Sequence, residues 1–440
     1  MLTVTFSLNL AIGVILVSSE PFSKPFNLPA PIPLGFPLSS NFSLSPAGLP
    51  QTCQVPSQSL ESHELIYKYD QVTPSGPGVP FRNGFFKISC HPNPNGLETE
   101  SEPFCIFLNP AMNRGKGMVV VAKPALLLES LQTRLDFTQE PPESDAIKVV
   151  KMPHKGGMGA LAARRLELGE RVNYERAALV VSVERSTWDR PDWKEIRKLA
   201  VDALPLQTRG NLARLYGKGH TQEEWISNMI DMNAFEIKLG DKQDVPFFAV
   251  LAHASRLNHE CRPNTAFYTD LETLEVHMTT LREINAGEEL TISYHDMTMT
   301  RSDRQKDMLH YGFVCSCAHC RMSEELADES DRRIVALIGL KAQLSNWTHV
   351  SKEKEQMDEA EELLELHSLE KLYDTVSDSY TLAALVFNSF GRVSRARKYA
   401  TQALVYGLIT SGPKWDEAEG VQQLADDPQS HWSYRLQSDD

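Results

Sequence analysis

The spacing of apolar positions in this 440-residue chain changes character several times along its length. Short apolar runs separated by Pro, Gly and Asn clusters occupy Glu64 to Pro124: Glu64-Leu65-Ile66-Tyr67, Phe85 to Ile88, Phe104 to Phe107 and Met118 to Val121. Such runs predict strands, and together they suggest a small β-rich N-terminal module over 61–140. Ala146 to Val183 again reads as strands joined by Gly-rich turns. From Asp192 to Ile237 the period lengthens to a helical one, as in Trp193-Ile196-Leu199-Ala203 and Trp225-Met229-Met232. Strand and turn signals return from Leu251 to Tyr294, and Arg301 to Leu309 predicts a short helix. From Glu324 onward the pattern is helical throughout. Glu353 to Glu370 is strongly acidic and reads as a solvated helix. Ala384 to Tyr406 has apolar and small residues at helix-pair spacing around Gly391, which resembles one incomplete tetratricopeptide-type hairpin.

The first 60 residues follow neither period. Met1 to Ser19 is almost uncharged, with a continuous apolar run from Ala11 to Val17 and small residues at Val17-Ser18-Ser19. It resembles a secretory signal peptide without the basic leading region; the alternative is a plain apolar leader. The run is too short for a membrane span. Residues 20–60 form a Pro-, Ser- and Leu-rich linker. Asn41-Phe42-Ser43 and Asn346-Trp347-Thr348 fit the glycosylation tripeptide.

Charge narrows the partners. With 44 basic and 58 acidic residues the net charge is −14. Such a surface repels phosphate backbones and argues against direct nucleic-acid binding, while it attracts a basic protein segment. Seven cysteines, an odd and sparse count, do not suggest a disulfide scaffold.

Four local constellations carry chemistry. The first, Asn258-His259-Glu260-Cys261-Arg262-Pro263-Asn264, packs directional donors and acceptors into a turn stiffened by Pro263. The second, Cys315-Ser316-Cys317-Ala318-His319-Cys320, has the two-residue gap that lets two sulfurs face one zinc ion. Cys315 adds a third ligand, and Cys261 or His319 is the candidate fourth. The third, Gly287-Glu288-Glu289-Leu290-Thr291-Ile292-Ser293-Tyr294, is a turn into a strand ending in Tyr. The fourth, Lys155-Gly156-Gly157-Met158-Gly159, allows close backbone approach to a ligand. Gly115-Lys116-Gly117 is a rival, but it lacks the strand, turn and strand that follow Gly159.

The ordered set Gly-x-Gly, Asn-His-x-Cys-x-Pro-Asn, Gly-Glu-Glu-Leu-x-Ile-x-Tyr and Cys-x-Cys-x-x-Cys resembles a SET domain with its post-SET zinc segment. The chain as a whole is similar to a group of fungal SET-domain proteins. It is more distantly similar to the SET-and-MYND lysine methyltransferases, without their MYND finger, since no cysteine falls between Cys105 and Cys261. The resemblance implies an α+β fold, a β-rich SET domain of small sheets with a threaded-loop pseudoknot over 146–310. It would carry a helical insert at about 187–246, a post-SET segment at 311–321 and a helical, tetratricopeptide-like region at 324–440.

The same resemblance implies transfer of methyl from S-adenosyl-L-methionine to a protein lysine side chain. Tyr294 would be the catalytic tyrosine and Tyr311 would wall the lysine channel. Gly157, Met158, Gly159, Asn258, His259 and Phe313 would hold the cofactor. Cys261, Cys315, Cys317 and Cys320 would bind one structural zinc. The expected partner is a protein with an accessible lysine in a basic segment. Because the cofactor is an intracellular metabolite, cytoplasm or nucleus is the favoured setting, with secretory entry through the leader as the alternative. Two other readings are a non-catalytic, zinc-stabilised SET scaffold for protein interaction and a secreted protein.

Overall fold

The computed structural model describes residues 78–92, 102–155, 157–183, 191–239, 245–347 and 352–438. The leader, the Pro-rich stretch, Asn41 and the expected strand at 64–67 lie outside the described residues.

The first strands are β1 (Val79–Pro80), β2 (Phe86–His91), β3 (Phe104–Asn109) and β4 (Met118–Ala122), followed by helix α1 (Pro124–Thr133). β5 (Ile147–Met152), β6 (Gly157–Ala162), β7 (Arg171–Arg176) and β8 (Leu179–Ser182) come next. Then come helices α2 (Pro191–Ala203), α3 (Leu206–Leu212) and α4 (Gln222–Asn233), and strands β9 (Ala234–Leu239) and β10 (Val245–Val250). β11 (Asn258–His259), β12 (Thr265–Asp270), β13 (Glu275–Thr280) and β14 (Glu289–Ile292) complete the strands.

Among the described residues three sheets result: seven strands in the order β1-β2-β3-β4-β8-β10-β9, four in the order β11-β14-β6-β5, and three in the order β12-β13-β7. β4 lies inside the large sheet, antiparallel to β3 and parallel to β8. Its sequence, Met-Val-Val-Val-Ala, is apolar at every position because both faces are covered. Val119 and Val121 face Trp193 of α2 and Trp225 and Met229 of α4, while Val120 faces Phe85, Phe107 and Leu127 of α1. This two-sided burial is the period-2 geometry of a strand.

The described part of the expected N-terminal module therefore shares one continuous sheet with strands of the SET region instead of standing apart. The helical insert also ends sooner than 246. Ala234–Leu239 alternates buried and exposed positions and pairs with β10 along its whole length. Cys90 and Cys105, directly opposed on β2 and β3, are joined by a disulfide.

The rest is helical: α5 (Arg301–His310), α6 (Glu324–Leu344), α7 (Glu353–Glu370), α8 (Val376–Ser389), α9 (Val393–Thr410) and α10 (Ala418–Asp426). Ser323 accepts a hydrogen bond from the Leu326 amide and caps α6. α8 and α9 turn about Gly391, whose φ of 69° is the left-handed value that glycine adopts freely. One such hairpin does not define a repeat. α7 is acidic but only half solvated: Ala360, Leu363 and Leu364 enter the helical core, and Glu370 at its end is buried. Among the described residues no helix is long and apolar enough to cross a membrane.

Candidate active site

The four-stranded sheet brings three of the constellations together. β11 runs parallel to β14, pairing Asn258 with Thr291 and His259 with Ile292. β14 runs antiparallel to β6, pairing Leu290 with Ala160. The Gly strand, the Asn-His strand and the strand entering Tyr294 are thus adjacent, although 100 residues separate Met158 from Asn258.

Asn258 is fixed from three sides. Its Nδ2 donates to the Met158 carbonyl at 3.1 Å and to Glu289 Oε1 at 2.9 Å, and lies 3.7 Å from Met152 Sδ. Glu289 also holds Lys155 Nζ at 2.6 Å. A Cβ added at Gly159 would stand 2.8 Å from Asn258 Nδ2 and 2.4 Å from Met152 Sδ, so only glycine fits between them. A Cβ added at Gly157 would meet nothing within 4 Å, and Gly157 is exposed. The strand is therefore packed tight at Gly159 and faces open space at Gly157, a cradle suited to a ligand lying along the backbone. Gly115 and Gly117, the rival pair, instead form the turn between β3 and β4 with φ values of 80° and 75°.

His259 is buried. The Tyr294 amide donates to its Nδ1 at 3.1 Å, so the ring proton belongs on Nε2, which lies 3.3 Å from Cys261 Sγ. Burial, reinforced by His295 nearby, pushes the His259 pKa down to about 3, and the ring stays neutral. The Tyr294 hydroxyl donates to the Leu257 carbonyl at 2.7 Å. Burial pushes this phenol above its ordinary pKa, with the Tyr311 ring adding to the effect. Tyr311 lies with its ring centroid 5.1 Å from that of Tyr294, and Phe313 lies 6.3 Å from His259.

Cys261 meets the fourth constellation. Its Sγ lies 3.9 Å from Cys315 Sγ and 3.4 Å from Cys320 Sγ, and all four sulfurs, Cys317 included, fall within 4.8 Å of one another. Tetrahedral zinc with bonds near 2.3 Å needs sulfurs about 3.8 Å apart, so this donor set fits the ion. The sulfur–sulfur hydrogen bonds hold Cys317 far below the usual thiol pKa and push Cys261 above it, so the cluster concentrates negative charge on one sulfur. His319, the other candidate fourth ligand, lies instead 3.7 Å from Glu370 and 3.3 Å from Ser330 Oγ. Backbone contacts frame the segment: Gln305 donates to the Cys315 carbonyl and Arg301 to the Cys320 carbonyl.

Three neighbours escaped the sequence reading. Glu289 sits inside the Gly-Glu-Glu-Leu run, which signalled only a turn and a strand. Lys155 opens the glycine stretch, and only its contact with Glu289 gives it meaning. His295 Nε2, 3.4 Å from Cys261 Sγ, follows Tyr294 with no spacing signal of its own.

Residues 157–295, about a third of the chain, match the family model described as SET domain. The chain thus carries a SET domain, and its fold is the α+β arrangement of small sheets with a helical C-terminal region. It is 28% identical over 188 residues to histone-lysine N-methyltransferase set5 of Schizosaccharomyces pombe, covering 42% of this chain and 53% of that protein. It is 29% identical over 143 residues to histone-lysine N-methyltransferase SET5 of Meyerozyma guilliermondii, covering 32% and 28%. A third relative is mouse histone-lysine N-methyltransferase SMYD3, 38% identical over 97 residues and 22% of each chain. The chain spans about half the length of the first of these relatives and less of the others.

Proposed function

We propose that this protein transfers a methyl group from S-adenosyl-L-methionine to a lysine side chain of another protein. The supporting observation is the convergence of the open glycine strand, the pinned Asn258 and neutral His259, and the buried phenol of Tyr294 beside Tyr311 and Phe313. The cofactor, when bound, supplies an electrophilic methyl on sulfonium sulfur. Gly157, Met158 and Gly159 would offer backbone along its length, with Asn258 and His259 as polar contacts and Phe313 as an aromatic face. The reaction is an in-line displacement, so alignment rather than covalent help is what the protein must provide.

The phenol of Tyr294 keeps its proton at neutral pH, because burial raises its pKa. It therefore serves as a fixed dipole and not as a base. The Leu257 carbonyl accepts a hydrogen bond from it and fixes its direction. The incoming lysine gives its proton to bulk water as it enters between Tyr294 and Tyr311, since burial disfavours an ammonium, and the neutral amine is then the nucleophile. Both rings also accept a methylammonium product through their π faces.

Cys261, Cys315, Cys317 and Cys320 would hold one zinc ion. With four thiolate donors such an ion would be structural, and it would tie the Asn-His turn to the segment carrying Phe313. The substrate would be a Lys-rich basic segment drawn to a chain of net charge −14. Histone segments are of this kind, and the relatives' names point the same way. We place the activity inside the cell, where the cofactor is made.

The test is transfer of labelled methyl from cofactor to a panel of basic proteins, with Tyr294→Phe alongside. Label on the wild-type reaction, reduced about 10²-fold in the variant, is expected. Equal labelling by both would overturn the assignment of Tyr294.

A further inference from the structure

Glu370 is the last residue of α7, in the helical region, and it is among the most buried charged residues described, with its side chain 1% exposed. A carboxylate at a helix C-terminus faces the negative end of the helix dipole, so it adds nothing to α7 itself. Its partners explain its place. Arg262 donates from Nη2 to Oε2 at 2.9 Å and from Nε to the Glu370 carbonyl. Arg333 of α6 donates to Oε1 at 2.6 Å, and Ser330 of α6 donates to Oε2 at 2.7 Å.

The network reaches both halves of the sulfur cluster. Arg262 follows Cys261 directly, and its Nη1 donates to the Cys261 carbonyl at 2.8 Å and the Met297 carbonyl at 3.2 Å. His319, between Cys317 and Cys320, lies against Ser330 Oγ and Glu370 Oε2. Cys261 and Cys315 are 54 residues apart, and Glu370 lies a further 50 residues beyond Cys320. One carboxylate thus bridges the Asn-His turn, the cysteine segment and two helices of the C-terminal region.

We infer that Glu370 is a positioning residue for the cofactor site: through Arg262 and Ser330 it fixes the Cys261 turn relative to the cysteine segment and couples the helical region to methyl-donor binding. This rests on the reading of the site given under Proposed function. Glu370 touches neither cofactor nor substrate. It acts by holding the backbone that carries His259, Cys261 and Phe313 in the geometry they need. Supports of this kind around a metal site are worth about 10–100-fold in metal retention or activity.

The experiment uses the full-length, zinc-loaded protein. Glu370→Gln keeps the shape and removes the charge. Glu361→Gln is the control on the same helix, because Glu361 pairs with Arg395 and Tyr399 away from the site. Zinc release to a colorimetric chelator, Kd for S-adenosyl-L-methionine by calorimetry, and KM for the cofactor against kcat are measured well below the melting temperature. Glu370→Gln is expected to release zinc about tenfold faster or more and to raise the cofactor Kd and KM similarly, with kcat at saturating cofactor changed far less. Glu370→Asp should recover part of the loss, and Glu361→Gln should match wild type.

A folded Glu370→Gln protein with wild-type zinc release and cofactor Kd overturns the inference, even if its melting temperature falls. Should Glu370→Gln fail to fold, Ser330→Ala removes two bonds of the network, those to Glu370 and to His319, and keeps the carboxylate. A few-fold change in both readouts then supports the inference, and no change overturns it. Wild-type protein that binds neither zinc nor cofactor overturns the underlying reading itself, an outcome distinct from a silent variant beside a binding wild type.

Discussion

Two glycines separated by one residue make opposite predictions. Gly157 and Gly159 both lie on β6, but a Cβ at Gly157 meets open space, whereas a Cβ at Gly159 runs into Met152 and Asn258. Neither glycine has a positive φ, so alanine is compatible with the backbone at both. Gly157→Ala should leave the empty protein as stable as wild type, or up to about 1 kcal/mol more stable through lower unfolded-state entropy. The methyl occupies the space assigned to the cofactor, and forcing an extra methylene-sized group into a packed contact costs about 1–3 kcal/mol. Cofactor Kd should therefore rise by about 5- to 150-fold with no loss in melting temperature. Gly159→Ala should lose both: about 1–3 kcal/mol of stability from the clash, and cofactor binding because Asn258 is displaced from Met158 and Glu289. Calorimetric titration with S-adenosyl-L-methionine beside thermal unfolding reads both quantities. If Gly157→Ala bound the cofactor as tightly as wild type, the cradle at β6 would be misassigned.

Other perturbations have equally definite outcomes. Cys261→Ser should drop bound zinc well below one ion per chain by atomic absorption and abolish cofactor binding, because the remaining three sulfurs all lie on the 315–320 segment. Arg176→Met should cost about 3–5 kcal/mol in urea unfolding, since the fully buried Arg176 side chain is the 2.8 Å partner of Glu275, and its loss strands that carboxylate. His367 donates from Nδ1 toward the Leu372 carbonyl and accepts from Ser379, and burial pushes its pKa down to about 4. The unfolded chain then binds the proton that the folded chain refuses. This contribution is complete well above pH 6.5 and is lost as pH falls toward 4, about 1.6 kcal/mol of it between 6.5 and 5. Denaturant titrations at the two pH values should show at least that loss, since other buried histidines such as His277 act in the same sense, and His367→Gln should reduce it by His367's share.

Much of the site could be read from local order because its parts are local. The Gly strand, the Asn-His turn, the Tyr strand and the cysteine segment are each a few residues long, and each carries its own composition signal. What brings them together is not local. The parallel pairing of β11 with β14 sets Asn258 opposite Thr291, and no periodicity announces it. Glu370 shows the same limit more sharply. In an acidic helix it looks like one more solvated carboxylate, and its contacts with Ser330, Arg333 and Arg262, the last 108 residues earlier, give it a buried role. The edge of the helical insert was misplaced for a different reason. Ala234 to Leu239 follows a helical stretch without Gly or Pro, so its alternation is visible only once β10 lies beside it. Cys90 and Cys105, 15 residues apart, find each other through the β2–β3 register.

The place of β4 also limits how this protein can be cut down for study. A fragment begun at residue 146 would keep every motif yet remove the neighbour to which β8 is hydrogen-bonded through Val119, Val120 and Val121. It would bare a strand edge and the tryptophan-lined helical layer beneath it, surfaces that promote self-association. Failure of such a fragment would report on a torn sheet and say nothing about catalysis.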